Sequence, residues 1–397
     1  MVLSNNLAKE LLHTYGSPLY VYNSQILNQT INQITTAIAY AHTQFRFASV
    51  TNGNVSLLKI FKAANWGLHA NTPGDIYLGL EAGFEPQKIV YSGSNLNRLE
   101  MQQVLNWGIS TLNLDSLSQL QLCCDVYQSL SAENSQIQSL HLGLRLNVPS
   151  LTKNSRIGVR PEEFPEALSI TRSANLKLSG LHFYRGTGTN ATQAFTQVIG
   201  TLLDLGQKLP DWQYLDFGGG FGYPYYENGI AFNWQEFGRA LTERLERLGK
   251  KISLIIEPGR AAIASCANLL VTVVSTKWQD HKQIVGVDAT VGNLSVPSVH
   301  GGYRQVTAVN PSSSDFHPTD VCGNTTYSRD YLGKNCQLPK LAVGDILAIM
   351  DVGAYGYAMS SHFLHRPRPA EVLLEQGKHR LIRAREDFQV LLANQIL

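Results

Sequence analysis

Asp216-Phe-Gly-Gly-Gly-Phe-Gly222, answered downstream by Glu257-Pro-Gly-Arg260, is the stretch on which the fold turns. Each motif closes a short β-rich run, Gln213–Phe217 and Ile252–Glu257. Working back towards the N-terminus, six more such runs are read at Phe45–Val50, Gly67–Ala70, Lys88–Ser92, Thr111–Leu114, Leu140–Asn147 and Leu176–Phe183. Segments of helical periodicity separate them: Val55–Ala64, Pro73–Ala82, Arg98–Gly108, Ser116–Leu130, Pro161–Ser173, Thr192–Leu209 and Trp234–Gly249. Eight strands with crossover helices predict a (β/α)8 TIM barrel; an open doubly wound sheet is the alternative. Beyond Arg260 the pattern turns to strands with few helical stretches, among them Leu269–Thr276, Gln283–Asp288 and Ile346–Asp351. The expected division is a barrel over residues 28–265 and a mainly β domain from 266–397, completed by the N-terminal strand within 1–27.

The remaining composition narrows the function. A net charge of +2 leaves no electrostatic footprint for nucleic acid or a membrane surface. The start of the chain has no basic segment leading into an apolar one, and no run reaches the length of a membrane span. Five cysteines without paired spacing argue against a disulfide framework or a zinc site and point to the cytoplasm. The eleven histidines form no HExxH pattern, so no metal is expected.

In a (β/α)8 barrel the active site lies at the C-terminal strand ends, often with a phosphate held after strands seven and eight. Gly218, Gly219 and Gly220 let backbone N–H groups approach an anion without Cβ interference, and Arg260 adds a cationic fork. A purely structural turn is the alternative for the glycines. Glu257 beside such a site needs a cationic partner. A protonated pyridine nitrogen is one candidate, and a salt bridge to Arg145 is the other.

On these residues the chain resembles the barrel-fold pyridoxal-phosphate decarboxylases, a family that includes diaminopimelate, ornithine and carboxynorspermidine decarboxylases. Pro18-Leu-Tyr-Val-Tyr22, Asp351-Val-Gly-Ala-Tyr-Gly-Tyr-Ala-Met-Ser-Ser361 and Arg366-Pro-Arg-Pro-Ala-Glu-Val372 extend the likeness over nearly the whole chain. The resemblance implies pyridoxal 5'-phosphate as cofactor, with Gly218 to Gly220, Arg260, Tyr355 and Thr187 on its phosphate. It places Glu257 on the ring nitrogen, with Arg145 and Tyr184 beside the ring. Cys322 would protonate the product carbon across the interface of a homodimer with shared sites; a buried core cysteine is the equal alternative.

One position breaks the pattern. Gapless alignment through Asn52 and Asn54 puts Val50 where the family carries the lysine that bonds the cofactor's aldehyde, and no lysine occurs between Thr43 and Leu58. His69 stands at an acidic position, Tyr184 replaces a ring-stacking histidine, and Gly323-Asn-Thr-Thr326 replaces an acidic run that follows Cys322. The reading is a carboxy-lyase-like protein that holds its cofactor non-covalently, with altered chemistry on a small amino acid or amine that has no strongly cationic far end. The alternatives are a non-catalytic cofactor- or phospholigand-binding partner of an active paralogue, and an engineered Lys→Val variant.

Overall fold

A computed structural model describes residues 1–133, 138–152, 155–186, 188–309, 311 and 315–396. The chain divides into two compact units: Ile31–Tyr223 with Ile230–Ala262, and Met1–Thr30 with Pro224–Gly229 and Ile263–Leu397. Among the described residues no helix is long and apolar enough to cross a membrane.

The unit spanning Ile31–Tyr223 and Ile230–Ala262 is a closed barrel of eight parallel strands. They are β1 Thr43–Ala48, β2 Gly67–Ala70, β3 Ile89–Tyr91, β4 Thr111–Leu114, β5 His141–Arg145, β6 Leu178–His182, β7 Tyr214–Asp216 and β8 Ser253–Ile256. Pairing of Phe45 with Ile256 closes the ring. Alternation along each strand decides what faces the axis. Phe45 and Phe47 stack on Trp66 and Phe61, with centroids 5.1 and 3.8 Å apart, so they point outward to the helix layer. Gln44, Arg46 and Ala48 therefore face inward. The interior is unusually polar for a barrel of this kind, where branched aliphatics ordinarily fill the layers. Its centre is occupied by Tyr214, which fits because β5 and β6 offer Gly143 and Gly180: a Cβ at Gly180 would lie 1.8 Å from Tyr214 Cζ.

The doubly wound alternative is thus excluded, and all eight strand positions agree with expectation to within a few residues. Two details differ from expectation. Thr192–Leu209 is broken into Thr192–Thr196 and Ile199–Gly206. Val50 is not a strand residue: β1 stops at Ala48, and Ser49–Thr51 form a 3-10 turn. The Ser49 hydroxyl shares its proton between the His69 carbonyl (2.9 Å) and the Asp75 carboxylate (3.0 Å), which bends the chain away from the ladder.

The other unit carries a nine-stranded sheet. Leu19–Asn23 lies in its interior, antiparallel to Ala267–Gln279 and parallel to Ala370–Glu375. Both tyrosines of this strand are fully buried with satisfied hydroxyls: Tyr20 donates to the Asn293 carbonyl and Tyr22 to Glu371. The helix Asn5–Tyr15 precedes it, begun by Ser4 accepting from the Leu7 N–H and ended by Gly16 at φ +79°.

Candidate active site

The glycine loop after β7 is held from below by its own flanking phenylalanines. Phe217 packs on Phe237 (5.2 Å) and Phe221 on Phe195 (4.8 Å) and Trp234 (4.6 Å), in an aromatic cluster outside the barrel. Burying each ring stabilises this anchor by roughly 1.5–3 kcal/mol. Between the anchors the backbone passes so close to its neighbours that side chains are excluded. A Cβ at Gly218 (φ +68°) would sit 2.1 Å from the Phe183 carbonyl oxygen. At Gly219 it would sit 2.5 Å from the Glu257 carbonyl oxygen, and at Gly220 (φ +93°) 2.3 Å from that of Gly186. Arg260 reaches the same loops, its Nε 3.2 Å from where a Gly188 Cβ would be.

Beside the loop, inward-facing residues of adjacent strands form a buried polar cluster. Asp216 accepts from the Gly218 N–H (3.0 Å) and from Asn113 Nδ2 (2.8 Å). Asn113 is fixed in turn by the Tyr214 hydroxyl (2.9 Å) and Ser92 (2.9 Å). Glu257 Oε2 lies 3.5 Å from both His69 Nε2 and His182 Nε2, while Glu257 Oε1 is buried without a hydrogen-bond partner. The Arg145 alternative for Glu257 is not an ion pair here: the guanidinium lies over the Tyr184 ring, 5.1 Å from its centroid.

Electrostatics follow from burial. Burial lowers His69 to about 3 and His182 to about 4, so both are neutral at physiological pH. Asp216 is pushed well above the carboxylate range, by burial first and then by the Glu257 charge. Glu257 is raised by burial to about 7, moderated by its hydrogen bond with Asp216 and by the Arg145 and Arg46 guanidiniums. Burial thus favours the protonated form of both neighbouring carboxyls. The ligand atoms of His182, Asp216 and Glu257 lie within 4.8 Å of one another, a closeness that neutral imidazole and protonated carboxyl groups tolerate.

The signs give a testable profile for the cofactor-free protein. Glu257 contributes stability below its ordinary value of 4.5 that is lost as pH rises through about 7. The two histidines contribute stability above 6.5 that is lost as pH falls towards 4 and 3. Between about pH 4.5 and 6.5 these contributions oppose one another: rising pH adds about 1.4 kcal/mol per unit from each histidine and removes as much for each raised carboxyl, Glu257 and Asp216. Stability therefore changes little there, falling below that window as the histidines charge and above it as Glu257 ionises. In Glu257→Gln the alkaline decline should become shallower. Denaturant titrations across pH check this, and an unchanged alkaline limb would refute the assignment.

The barrel unit thus brings Arg145, Tyr184, Gly218, Gly219, Gly220, Glu257 and Arg260 into one polar mouth, with Val50 at the end of β1. Val50 is 43% exposed, and its turn is tied to the loop after β8: the Ala48 N–H donates to the Pro258 carbonyl. Lys59 and Lys62 are exposed on the helix Val55–Ala63. Thr187 lies outside the described residues. Cys322 and Tyr355 belong to the other unit; Cys322 is half-buried at the end of its strand, and Tyr355 sits in a turn at φ +59°. Burial, with Asp320 and Asp330, pushes the Cys322 thiol up. Beyond Gly323-Asn-Thr-Thr326, which carries no acid, the chain places a buried carboxylate. Asp330 folds back on Gly323 and accepts from Thr290, the Val291 N–H and Thr325.

Motif spacing alone misses His182, Asp216 and Asn113 as site residues. The signal that finds them is strand parity: each is a polar residue at an inward position near a strand's C-terminal end.

A rigid glycine loop at two strand ends, a cation above it and an orphaned buried carboxylate oxygen suit a phosphorylated ligand with a ring nitrogen that donates. Residues 25–264 match the pyridoxal-binding domain of the pyridoxal-dependent decarboxylases, and the chain belongs to that family, whose cofactor is pyridoxal phosphate. Over its whole length it is similar to diaminopimelate decarboxylases. It is 32% identical to that of Methanothermobacter thermautotrophicus, over 98% of this chain and 94% of the relative. It is 30% identical to a Helicobacter pylori enzyme, over 96% of each. The crystal structure of diaminopimelate decarboxylase from Helicobacter pylori complexed with L-lysine superposes with a TM-score of 0.88, at 27% identity, over 97% of this chain and 98% of that one.

Proposed function

We propose that this protein binds pyridoxal phosphate without a covalent link and acts on a small amino acid or amine by a variant of the decarboxylase chemistry of its relatives. The observation that carries the reading is the pairing of a retained cofactor mouth with valine at position 50. In this reading the N–H groups of Gly218 to Gly220, with Arg260, Thr187 and Tyr355, hold the phosphate. The orphaned Glu257 Oε1 accepts from the ring nitrogen, and Arg145 and Tyr184 flank the ring. The bound cofactor supplies an electron sink for charge developing on the substrate carbon.

The chain's own residues set the rest. Burial favours the protonated form of Asp216, and a ring nitrogen facing Glu257 would draw the negative charge of the pair to Glu257. His69 and His182 stay neutral and add no competing charge. Cys322 keeps its proton at neutral pH and can deliver it from Sγ, within a homodimer whose protomers share their sites. Asp330 is engaged by backbone and threonine donors, which supports a substrate lacking a cationic far end.

Val50→Lys tests the reading. Wild-type protein incubated with pyridoxal phosphate should retain it through gel filtration yet carry no cofactor mass after borohydride and denaturation. Val50→Lys should carry one reduced cofactor per chain. No adduct in Val50→Lys would sink the placement of residue 50 at the cofactor. Carbon dioxide release across an amino-acid panel then separates an active enzyme from a non-catalytic binding protein.

A further inference from the structure

The opposite, N-terminal mouth of the barrel holds a cavity of about 290 Å³. Gln44, Arg46, Ser110, His141, Gln213 and Ser253 line it, and among the described residues no carboxylate does. Arg46 is its charged element, only 5% exposed on the inner face of β1. The fold makes room for it: a Cβ at Gly67 on β2 would lie 2.5 Å from Arg46 Cδ. The guanidinium donates from Nη1 to the Phe45 carbonyl (3.3 Å) and from Nη2 to Gln44 Oε1, whereas Nε has no partner.

Among the described residues no carboxylate forms an ion pair with this cation. The acids whose fields reach it are Asp216 and Glu257, in the cluster beside the glycine loop, and burial shifts both towards their neutral forms. Burial lowers Arg46 to about 10, which still leaves it charged at neutral pH. A buried guanidinium without a directly bonded counter-charge is costly, and the cavity wall supplies further amide and hydroxyl donors.

We infer that the N-terminal mouth of the barrel is a binding site for a small oxyanion, of the class of phosphate, sulfate or a short carboxylate, held by Arg46 with donors from Gln44, Gln213, Ser110 and Ser253. It is separate from the glycine-loop mouth and does not depend on the cofactor reading.

Crystals soaked in selenate test it by position. An anomalous peak is expected within hydrogen-bond distance of the Arg46 guanidinium. In calorimetric titrations with sulfate at constant ionic strength, on protein saturated with pyridoxal phosphate, Arg46→Met should weaken binding roughly 10- to 100-fold, the range for a charge-assisted bond. Gln44→Glu is isosteric and exposed, so it keeps the fold while setting a carboxylate against Nη2. It should displace the anion to a similar extent, which keeps the test decisive if Arg46→Met misfolds. Absence of the peak at saturating selenate, or sulfate binding undiminished in Gln44→Glu, overturns the proposal.

Discussion

Gly218→Ala should abolish retention of pyridoxal phosphate, weakening it by about 100-fold or more, and should cost the cofactor-free fold about 3 kcal/mol. Two independent penalties add. The φ of +68° is strained for any residue with a Cβ, by roughly 1–2 kcal/mol. The new methyl would also lie 2.1 Å from the Phe183 carbonyl oxygen, and that residue is pinned by its own N–H bond to the Asp216 carbonyl (2.8 Å). Relief requires the loop to lift, which would swing its N–H groups off the proposed phosphate position and break the Gly218 N–H bond to Asp216. Gly249→Ala is the matched control: the same φ of +68°, with nothing within 4 Å of the added carbon. Gel filtration with cofactor absorbance and a denaturant titration read both effects. If Gly218→Ala behaves like Gly249→Ala, the loop is not a rigid cradle.

A second large effect is expected at the barrel centre. Gly180→Ala should destabilise by about 3 kcal/mol or more, the upper range for overpacking, because its Cβ would overlap the Tyr214 ring at 1.8 Å. Tyr214 cannot turn aside without breaking its bond to Asn113, and through it the Asn113 bond to Asp216. The double variant Gly180→Ala/Tyr214→Val should therefore be less destabilised than the sum of the two singles, with a coupling of about 1 kcal/mol or more. Additive losses would mean that Tyr214 and Gly180 do not share the space.

The eight barrel strands are legible in the amino-acid sequence, because each is a short β-rich run bounded by turn residues. The phosphate end is legible too, because glycines and Arg260 recur at two consecutive strand ends. Val50 is different: Phe45-Arg-Phe-Ala-Ser-Val continues a plausible β pattern that the chain does not follow. The break comes from Ser49 bonding to His69 and Asp75, contacts between segments that local propensity does not register. The helices Asn5–Tyr15 and Ser24–Ala37 precede the first barrel strand and so fall outside the strand–helix alternation that reveals the others, although Ser4 and Gly16 are ordinary start and stop signals for the first of them. The Asp216–Glu257 pair is hidden for another reason. Its closeness depends on the registers of neighbouring strands around a closed ring, and only the assembled barrel fixes those.

The seam of that ring also bears on how the protein reaches its working form. The turn holding Val50 meets the loop after the last strand through Ala48 and Pro258, and Gly259 admits Thr51 and Ala48 against its bare Cα. These segments stand at opposite ends of the barrel sequence, so joining them closes a very long chain loop whose entropy must be overcome before the contacts repay it. The mouth beside the glycine loop is therefore complete only once the ring has closed. A nascent or truncated chain lacking the last strand has the glycine loop but neither Glu257 nor the clasp on residue 50, so cofactor capture should report that the ring has shut.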